Sequence, residues 1–110
     1  MKRTMLVTCL LLAGFTLARA QDVKETWEKD CQKCHGPDGK GDTKMGKKVE
    51  VKDYTDPAVQ ASLKDDEMVK AIKEGVKDKD GKTRMKAYAD TLSDAQVKAL
   101  VAYVRSFKKS

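Results

Sequence analysis

Two cysteines and a histidine stand together in the order Cys31-Gln32-Lys33-Cys34-His35. At this spacing two thiols can add to the vinyl groups of one haem, while the adjacent imidazole reaches the iron as its proximal ligand. A haem bound in this way constrains the fold strongly, because a small chain must then build its core around a large apolar ring. The motif predicts one covalently attached haem c per chain, held by Cys31, Cys34 and His35.

Two other interpretations of the motif are weaker. A redox-active dithiol is expected beside a strand–helix unit, and no strand pattern precedes Cys31. A structural zinc site needs four ligands, whereas His35 is the only histidine and Cys9 the only further cysteine. Cys9 also lies in a segment that we expect to be removed. Haem attachment is therefore the preferred interpretation.

The first twenty residues have the pattern of a secretory signal peptide. Two basic residues come first, residues 5–18 form an apolar stretch, and a small-x-small cleavage site ends at Ala20. An apolar stretch of about fourteen residues is shorter than the ~20 that cross a bilayer, which argues against a retained membrane anchor. We predict that residues 1–20 are a cleaved signal peptide and that residues 21–110 form a single periplasmic domain without stable membrane insertion.

Removal of the signal peptide would change the charge balance of the protein. The whole chain has 23 basic and 17 acidic residues, and three of the basic ones lie in the signal segment. The remainder has a net charge of +3. Because this excess is small and aromatic residues are few, no nucleic-acid partner is expected.

A cluster of lysines follows the haem motif. Its members are Lys40, Lys44, Lys47, Lys48 and Lys52. Acidic residues alternate with them, which favours an ordinary solvated face. If the lysines instead surround the exposed haem edge, they would speed the encounter with an acidic redox partner.

Helical patterns occupy three segments of the mature chain: from Asp22 into the haem motif, from about Asp65 to Glu74, and from Ser93 onwards. Gly75 follows the second as a stop signal. Ser93 and Gln96 form a capping box at the start of the third. The third then repeats apolar residues at helical spacing, namely Val97, Leu100, Val101, Val104 and Phe107. The loops between the helices show no sheet pattern, so an all-α fold is predicted.

These residues resemble the small single-haem class I cytochromes c of bacteria. The resemblance rests on Cys31-Gln32-Lys33-Cys34-His35-Gly36, on Asp38-Gly39-Lys40-Gly41, on the late Met85, and on Leu92-Ser93-Asp94 with Leu100-Val101-Ala102-Tyr103-Val104-Arg105-Ser106-Phe107. It covers essentially all of residues 21–110. It implies an all-α class I cytochrome c fold, about three to five helices wrapped around one haem, with histidine and methionine as axial ligands.

For the sixth iron ligand, the resemblance points to Met85. This residue lies in the long loop before the last helix, where the chain can return over the haem face opposite to His35. Met68 has the helical spacing of a core residue. Met45 lies only ten residues after His35, in the loop that leaves the proximal face of the haem, so it is not the expected ligand. A lysine, a water molecule or an open position stay as alternatives. Lys86 stands where family members commonly have proline.

Aromatic residues are expected to support this arrangement. The resemblance places Trp27 of the first helix against Tyr103 of the last. Tyr54 and Tyr88 flank the loops that face the haem, where each can cover the ring or hydrogen-bond a propionate.

The sequence is compatible with two candidate functions from different classes of haem protein. The favoured one is a monomeric electron carrier of the periplasm, not an enzyme, which docks transiently to other redox proteins. The alternative is a haem-based ligand-binding sensor or weak peroxidase, which needs an open or displaceable sixth position. Peroxide chemistry usually uses a distal histidine, and His35 is already the proximal ligand. This favours the electron carrier.

Overall fold

The computed structural model describes residues 22–109, which form five helices and one two-stranded sheet. Helix α1 covers residues 22–35 and includes a π-helical segment, Trp27–Cys31, and a final α-helical turn, Gln32–His35. The remaining elements are α2 (Lys44–Lys48), α3 (Pro57–Ser62), α4 (Asp65–Glu74), β1 (Val76–Lys77), β2 (Thr83–Met85) and α5 (Asp94–Ser106). The mostly helical architecture confirms the predicted fold class. The predicted signal peptide lies outside the described residues.

Helix α5 is the central element of the core. The Ser93 hydroxyl accepts a hydrogen bond from the Gln96 backbone N–H at 3.1 Å, and the Gln96 side chain accepts one from the Ser93 N–H at 2.8 Å. This capping box was predicted and is confirmed. The predicted apolar face is also confirmed: Val97, Leu100, Val101 and Val104 are buried, and Phe107 is partly buried.

Helix α4 has the predicted bounds and the predicted end. Three acidic residues occupy its first turn, where they complement the positive end of the helix dipole. Met68 and Ile72 are buried against the core, and Gly75 ends the helix with a φ of 79°. A Cβ atom at Gly75 would lie 2.6 Å from the carbonyl oxygen of Met85, so glycine also permits close approach of the next segment.

The prediction that the loops contain no sheet was wrong. Val76 pairs with Met85 in an antiparallel hairpin. The Asp78 carboxylate closes its turn by accepting hydrogen bonds of 2.9 Å from the backbone N–H groups of Asp80 and Lys82. Strands of two and three residues are too short to show a two-residue alternation in sequence. The short helices α2 and α3 were not placed for a similar reason.

Helix α1 crosses α5 through aromatic contacts. Trp27 is 2% exposed, and its ring centroid lies 5.4 Å from that of Tyr103 and 5.1 Å from that of Phe107. The predicted contact between Trp27 and Tyr103 is thus confirmed. These contacts place the haem motif, at the end of α1, beside the main core.

Helix α3 is joined to α5 by a buried amide. The Gln60 side chain is 4% exposed and donates to the carbonyl oxygens of Tyr54 at 2.7 Å and Val104 at 2.8 Å. The Arg105 guanidinium donates in turn to the Gln60 carbonyl at 2.7 Å. This network fixes the backbone of Tyr54 close to the haem motif.

Over residues 22–109 the helices are too short or too polar to cross a membrane.

Candidate haem site

The haem motif occupies the last turns of α1, and the following loop folds back beneath it. The Cys34 carbonyl accepts a hydrogen bond of 2.8 Å from the Thr43 hydroxyl, and the His35 carbonyl accepts one of 2.8 Å from the Gly41 N–H. Helix α2 approaches so closely that a Cβ atom at Gly46 would collide with the Cys34 carbonyl oxygen. The backbone of Cys34 and His35 is therefore held both by the following loop and by α2.

The imidazole of His35 lies between two aromatic rings. Its centroid is 5.6 Å from that of Trp27 and 5.2 Å from that of Tyr54, and the Tyr54 ring is nearly parallel to it. Burial lowers the pKa of His35 to about 4, so the imidazole is neutral at pH 7. A neutral imidazole is the form that binds a metal ion.

His35 also carries an unsatisfied polar atom. Its Nδ1 is buried without a hydrogen-bond partner, and no other buried side-chain nitrogen or oxygen in residues 22–109 shares this condition. Such atoms are rare in folded proteins and often belong to functional sites. The burial and neutrality of the imidazole suit an iron ligand.

The thiols of Cys31 and Cys34 are partly buried and not joined to each other. Burial, followed by the negative charge of Asp30, raises the pKa of Cys31 to about 12. Cysteines that exchange disulfides have a lowered pKa, because the thiolate is the nucleophile. The environment of Cys31 is thus the opposite of that of a redox-active dithiol.

A partly open cavity of about 50 Å³ lies between α1, α4, β2 and α5. Its lining is mostly apolar and is formed by Trp27, Cys31, His35, Tyr54, Met68, Ala71, Ile72, Met85, Leu100 and Val104. Three of the four predicted site residues therefore meet at one cavity, and Cys34 lies one helical turn from Cys31 on α1. Two thiols, a neutral imidazole, thioether sulfurs and apolar walls fit a haem chemically.

Both Met85 and Met68 line this cavity. Met68 is 8% exposed on α4, which confirms its predicted place in the core. Met85 is partly buried on β2, in a segment fixed to the end of α4: Tyr88 N–H donates to the Ile72 carbonyl at 2.9 Å and Ala89 N–H to that of Lys73 at 3.1 Å. Met45 instead lines a separate surface cavity of about 280 Å³ with Lys33, Lys44 and Lys48.

The two tyrosines near the loops have different contacts. Tyr54 stacks on His35 and covers the imidazole. The Tyr88 hydroxyl donates a hydrogen bond of 3.0 Å to the Asp30 carbonyl, one residue before Cys31. Tyr88 thereby links the segment that follows Met85 to the attachment helix. Sequence reasoning did not assign this bond, which joins residues 58 positions apart.

One positioning contact near Met85 was also missed. Arg84 donates to the Val49 carbonyl at 3.0 Å and to the Glu50 carboxylate at 3.2 Å. No local motif reveals it, because the partners lie 34 and 35 residues away. The only available signal was a lone arginine beside the candidate ligand in a segment otherwise rich in lysine.

A helical fold around a cavity that joins the attachment motif to a methionine defines a small class I c-type cytochrome. The family described as "Cytochrome C oxidase, cbb3-type, subunit III" matches residues 18–104, and the chain belongs to it. Its family implies a covalently bound c-type haem and haem-based electron transfer.

Two solved structures are similar to this chain. The first, described as "KustC0563 c-type cytochrome", is 31% identical with a TM-score of 0.68, and the match covers 78% of this chain and 96% of that one. The second is a tyrosine-to-phenylalanine variant of Kustc0563, also 31% identical, with a TM-score of 0.67 and coverage of 79% and 99%. The sequence has no match among curated proteins.

Proposed function

We propose that this cytochrome is a periplasmic electron carrier with one haem, attached through Cys31 and Cys34 and ligated by His35 and Met85. The observation that carries the proposal is the shared cavity, which is lined by Cys31, His35 and Met85. These residues come from α1 and from a hairpin fifty positions later, so their meeting is a property of the fold. Bound haem supplies one-electron redox chemistry at its iron.

The residues around the cavity suit electron transfer rather than catalysis. A thioether ligand such as Met85 favours ferrous iron and raises the reduction potential. Apolar walls formed by Ile72, Leu100 and Val104 would limit the access of water to a bound haem iron. His35 is the only histidine of the chain and serves as the proximal ligand, which leaves none for acid–base chemistry on the distal side.

Export and docking complete the proposal. The signal peptide of residues 1–20 would direct the chain to the periplasm, where residues 21–110 act as a monomer. Lys33, Lys44 and Lys48 surround the surface cavity that contains Met45, directly beside the attachment motif. A basic rim around an apolar centre suits brief docking of an acidic redox protein, at a rate that falls as ionic strength rises.

Three measurements on the purified holoprotein test the proposal. Acid–acetone extraction should leave the haem on the polypeptide, and the mass should equal that of residues 21–110 plus one haem. The visible spectrum should be that of six-coordinate, low-spin iron in both oxidation states. Extractable haem would contradict the attachment. A five-coordinate, high-spin spectrum would instead favour the ligand-binding or peroxidase alternative.

A further inference from the structure

Arg84 and Met85 are consecutive residues of β2 with different surroundings. Side chains of consecutive strand residues point to opposite faces. Met85 lines the cavity beside the haem motif, whereas the Arg84 guanidinium reaches the turn after α2, where it contacts the Val49 carbonyl and the Glu50 carboxylate. The residue next to the proposed iron ligand is thus tied to a turn that lies 34 and 35 residues earlier in the chain.

The turn that receives Arg84 is itself fixed to the haem motif. The Val51 N–H donates to the Gly46 carbonyl at 3.0 Å, and Gly46 packs directly against the carbonyl of Cys34. Glu50 has a φ of 58°, a left-handed conformation that few residues other than glycine adopt. This conformation requires support from neighbouring contacts, and the bonds from Arg84 provide it.

Arg84 also contacts the turn of its own hairpin. The Asp78 carboxylate, 19% exposed, closes that turn with one oxygen and lies 4.0 Å from the Arg84 Nε with the other. A single guanidinium therefore joins three groups: a backbone carbonyl and a carboxylate of the 49–50 turn, and the carboxylate at the hairpin turn. Nη1 donates both hydrogen bonds and Nε makes the ion-pair contact with Asp78, and the single ammonium group of a lysine cannot place two nitrogen atoms at these positions.

We infer that Arg84 is the positioning residue that holds Met85 in place as the iron ligand. The inference rests on the proposed function, in which Met85 is that ligand. Displacement of Met85 by another ligand requires β2 to move away from the cavity. The β1–β2 pairing spans only two residue pairs, so local opening of this hairpin needs support from outside it. Arg84 supplies such a contact, and it must break when the hairpin opens.

The test measures imidazole binding to the oxidised holoprotein, followed by loss of the near-infrared band from charge transfer between methionine and ferric iron. The Arg84 side chain is 38% exposed and that of Glu50 is 77% exposed, so solvent weakens their ion pair, and Arg84→Gln should tighten apparent imidazole binding about 3- to 10-fold. Glu50→Gln removes the negative charge of one partner, although the amide oxygen can still accept a hydrogen bond, and it keeps the bond to Val49, so a gain of roughly 2- to 3-fold is expected. In the double variant, the fold-change in imidazole affinity should be smaller than the product of the fold-changes in Arg84→Gln and Glu50→Gln, because the two residues share one contact.

Lys77→Gln is the matched control. Lys77 is an exposed cation on the paired strand β1, so its loss changes the net charge by the same amount. Imidazole binding should stay at the wild-type value in this variant, while Arg84→Lys should restore only part of the wild-type resistance. If Arg84→Gln fails to fold, imidazole binding to Glu50→Gln still tests the inference.

The outcomes separate this inference from the proposed function. A wild-type protein without the near-infrared band would overturn the ligation by Met85, and the role of Arg84 with it. If the band is present and is lost in Met85→Ala, the ligation holds. Unchanged imidazole binding in Arg84→Gln and Glu50→Gln, or an equal change in Lys77→Gln, would then overturn the role of Arg84 alone.

Discussion

The indole N–H of Trp27 donates a hydrogen bond of 2.9 Å to the carbonyl oxygen of Gly36. This bond spans the haem motif from its beginning to its end, because Gly36 directly follows His35. The same indole packs against His35, against Tyr103 of α5 and against Phe107, which directly follows α5. Trp27 therefore couples the geometry of the motif to the main core.

Replacement of this indole should destabilise the protein through a lost hydrogen bond. Trp27→Phe keeps an aromatic ring but leaves the Gly36 carbonyl without its donor, which costs about 1–3 kcal/mol in the free energy of unfolding. Denaturant titration of the holoprotein measures this value. Tyr103→Phe, which keeps the aromatic contact with Trp27, should change it by less than about 0.5 kcal/mol. Equal effects of the two variants would contradict the importance of the Trp27 bond.

Gly75→Ala should disturb the Met85 segment as well as the backbone of α4. Alanine at a φ of 79° is strained, and its Cβ would lie 2.6 Å from the Met85 carbonyl oxygen. Gly81 is a matched control, because its φ is 82° and nothing lies within 4 Å of a Cβ there.

We expect Gly81→Ala to cost only the conformational strain, about 1–2 kcal/mol, and to leave the near-infrared band intact. Gly75→Ala should cost more and weaken the band. The two variants would be measured by denaturant titration and near-infrared absorption. Identical behaviour would show that the close approach of Gly75 to Met85 has no consequence for the site.

The ion pair between Lys73 and Asp94 should stabilise the protein in a pH-dependent way. The Asp94 carboxylate lies 2.5 Å from the Lys73 Nζ, and this hydrogen bond and charge lower the pKa of Asp94 below its ordinary value of 3.8. The contribution is therefore complete above pH 3.8 and is lost as the pH falls through the lower folded-state pKa.

Asp94→Asn should accordingly be less stable than the wild type at neutral pH, and the difference should disappear in strong acid. Unfolding curves at a series of pH values measure it. A difference that persists unchanged below the folded-state pKa would contradict the role of the charge.

Lys86→Pro should make Met85 harder to displace. Proline restricts the opened segment, and such substitutions stabilise the closed state by about 0.4–1 kcal/mol where the conformation is compatible. Imidazole binding should become roughly 2- to 5-fold weaker. Stronger imidazole binding would mean that the loss of the Lys86 side chain, whose Nζ lies 5.9 Å from the Tyr88 ring, outweighs the loop effect.

Local signals allowed much of this fold to be predicted. The capping box of Ser93 and Gln96 and the stop at Gly75 act within one helical turn, so the sequence itself contains both partners. The Cys31 to His35 motif is local in the same sense. Long-range contacts left no such signal: Arg84 meets Glu50, and Tyr88 meets Asp30, only because the chain folds back.

The two methionines at the cavity illustrate the same distinction. Helical spacing correctly predicted Met68 as a core residue, yet it gave no indication that Met68 also reaches the cavity. The position of Met85 depends on a hairpin whose strands are too short to be recognised from sequence. The choice between the two sulfurs as iron ligand stays a prediction.

Near-infrared absorption of the oxidised holoprotein, compared between Met85→Ala and Met68→Ala, tests the proposed ligation most directly. Met85→Ala should abolish the methionine-to-ferric band and lower the reduction potential, because the thioether that stabilises ferrous iron is lost. Met68→Ala should keep the band and cost about 2–5 kcal/mol of stability through lost packing. A band that survives in Met85→Ala and disappears in Met68→Ala would contradict the ligation by Met85.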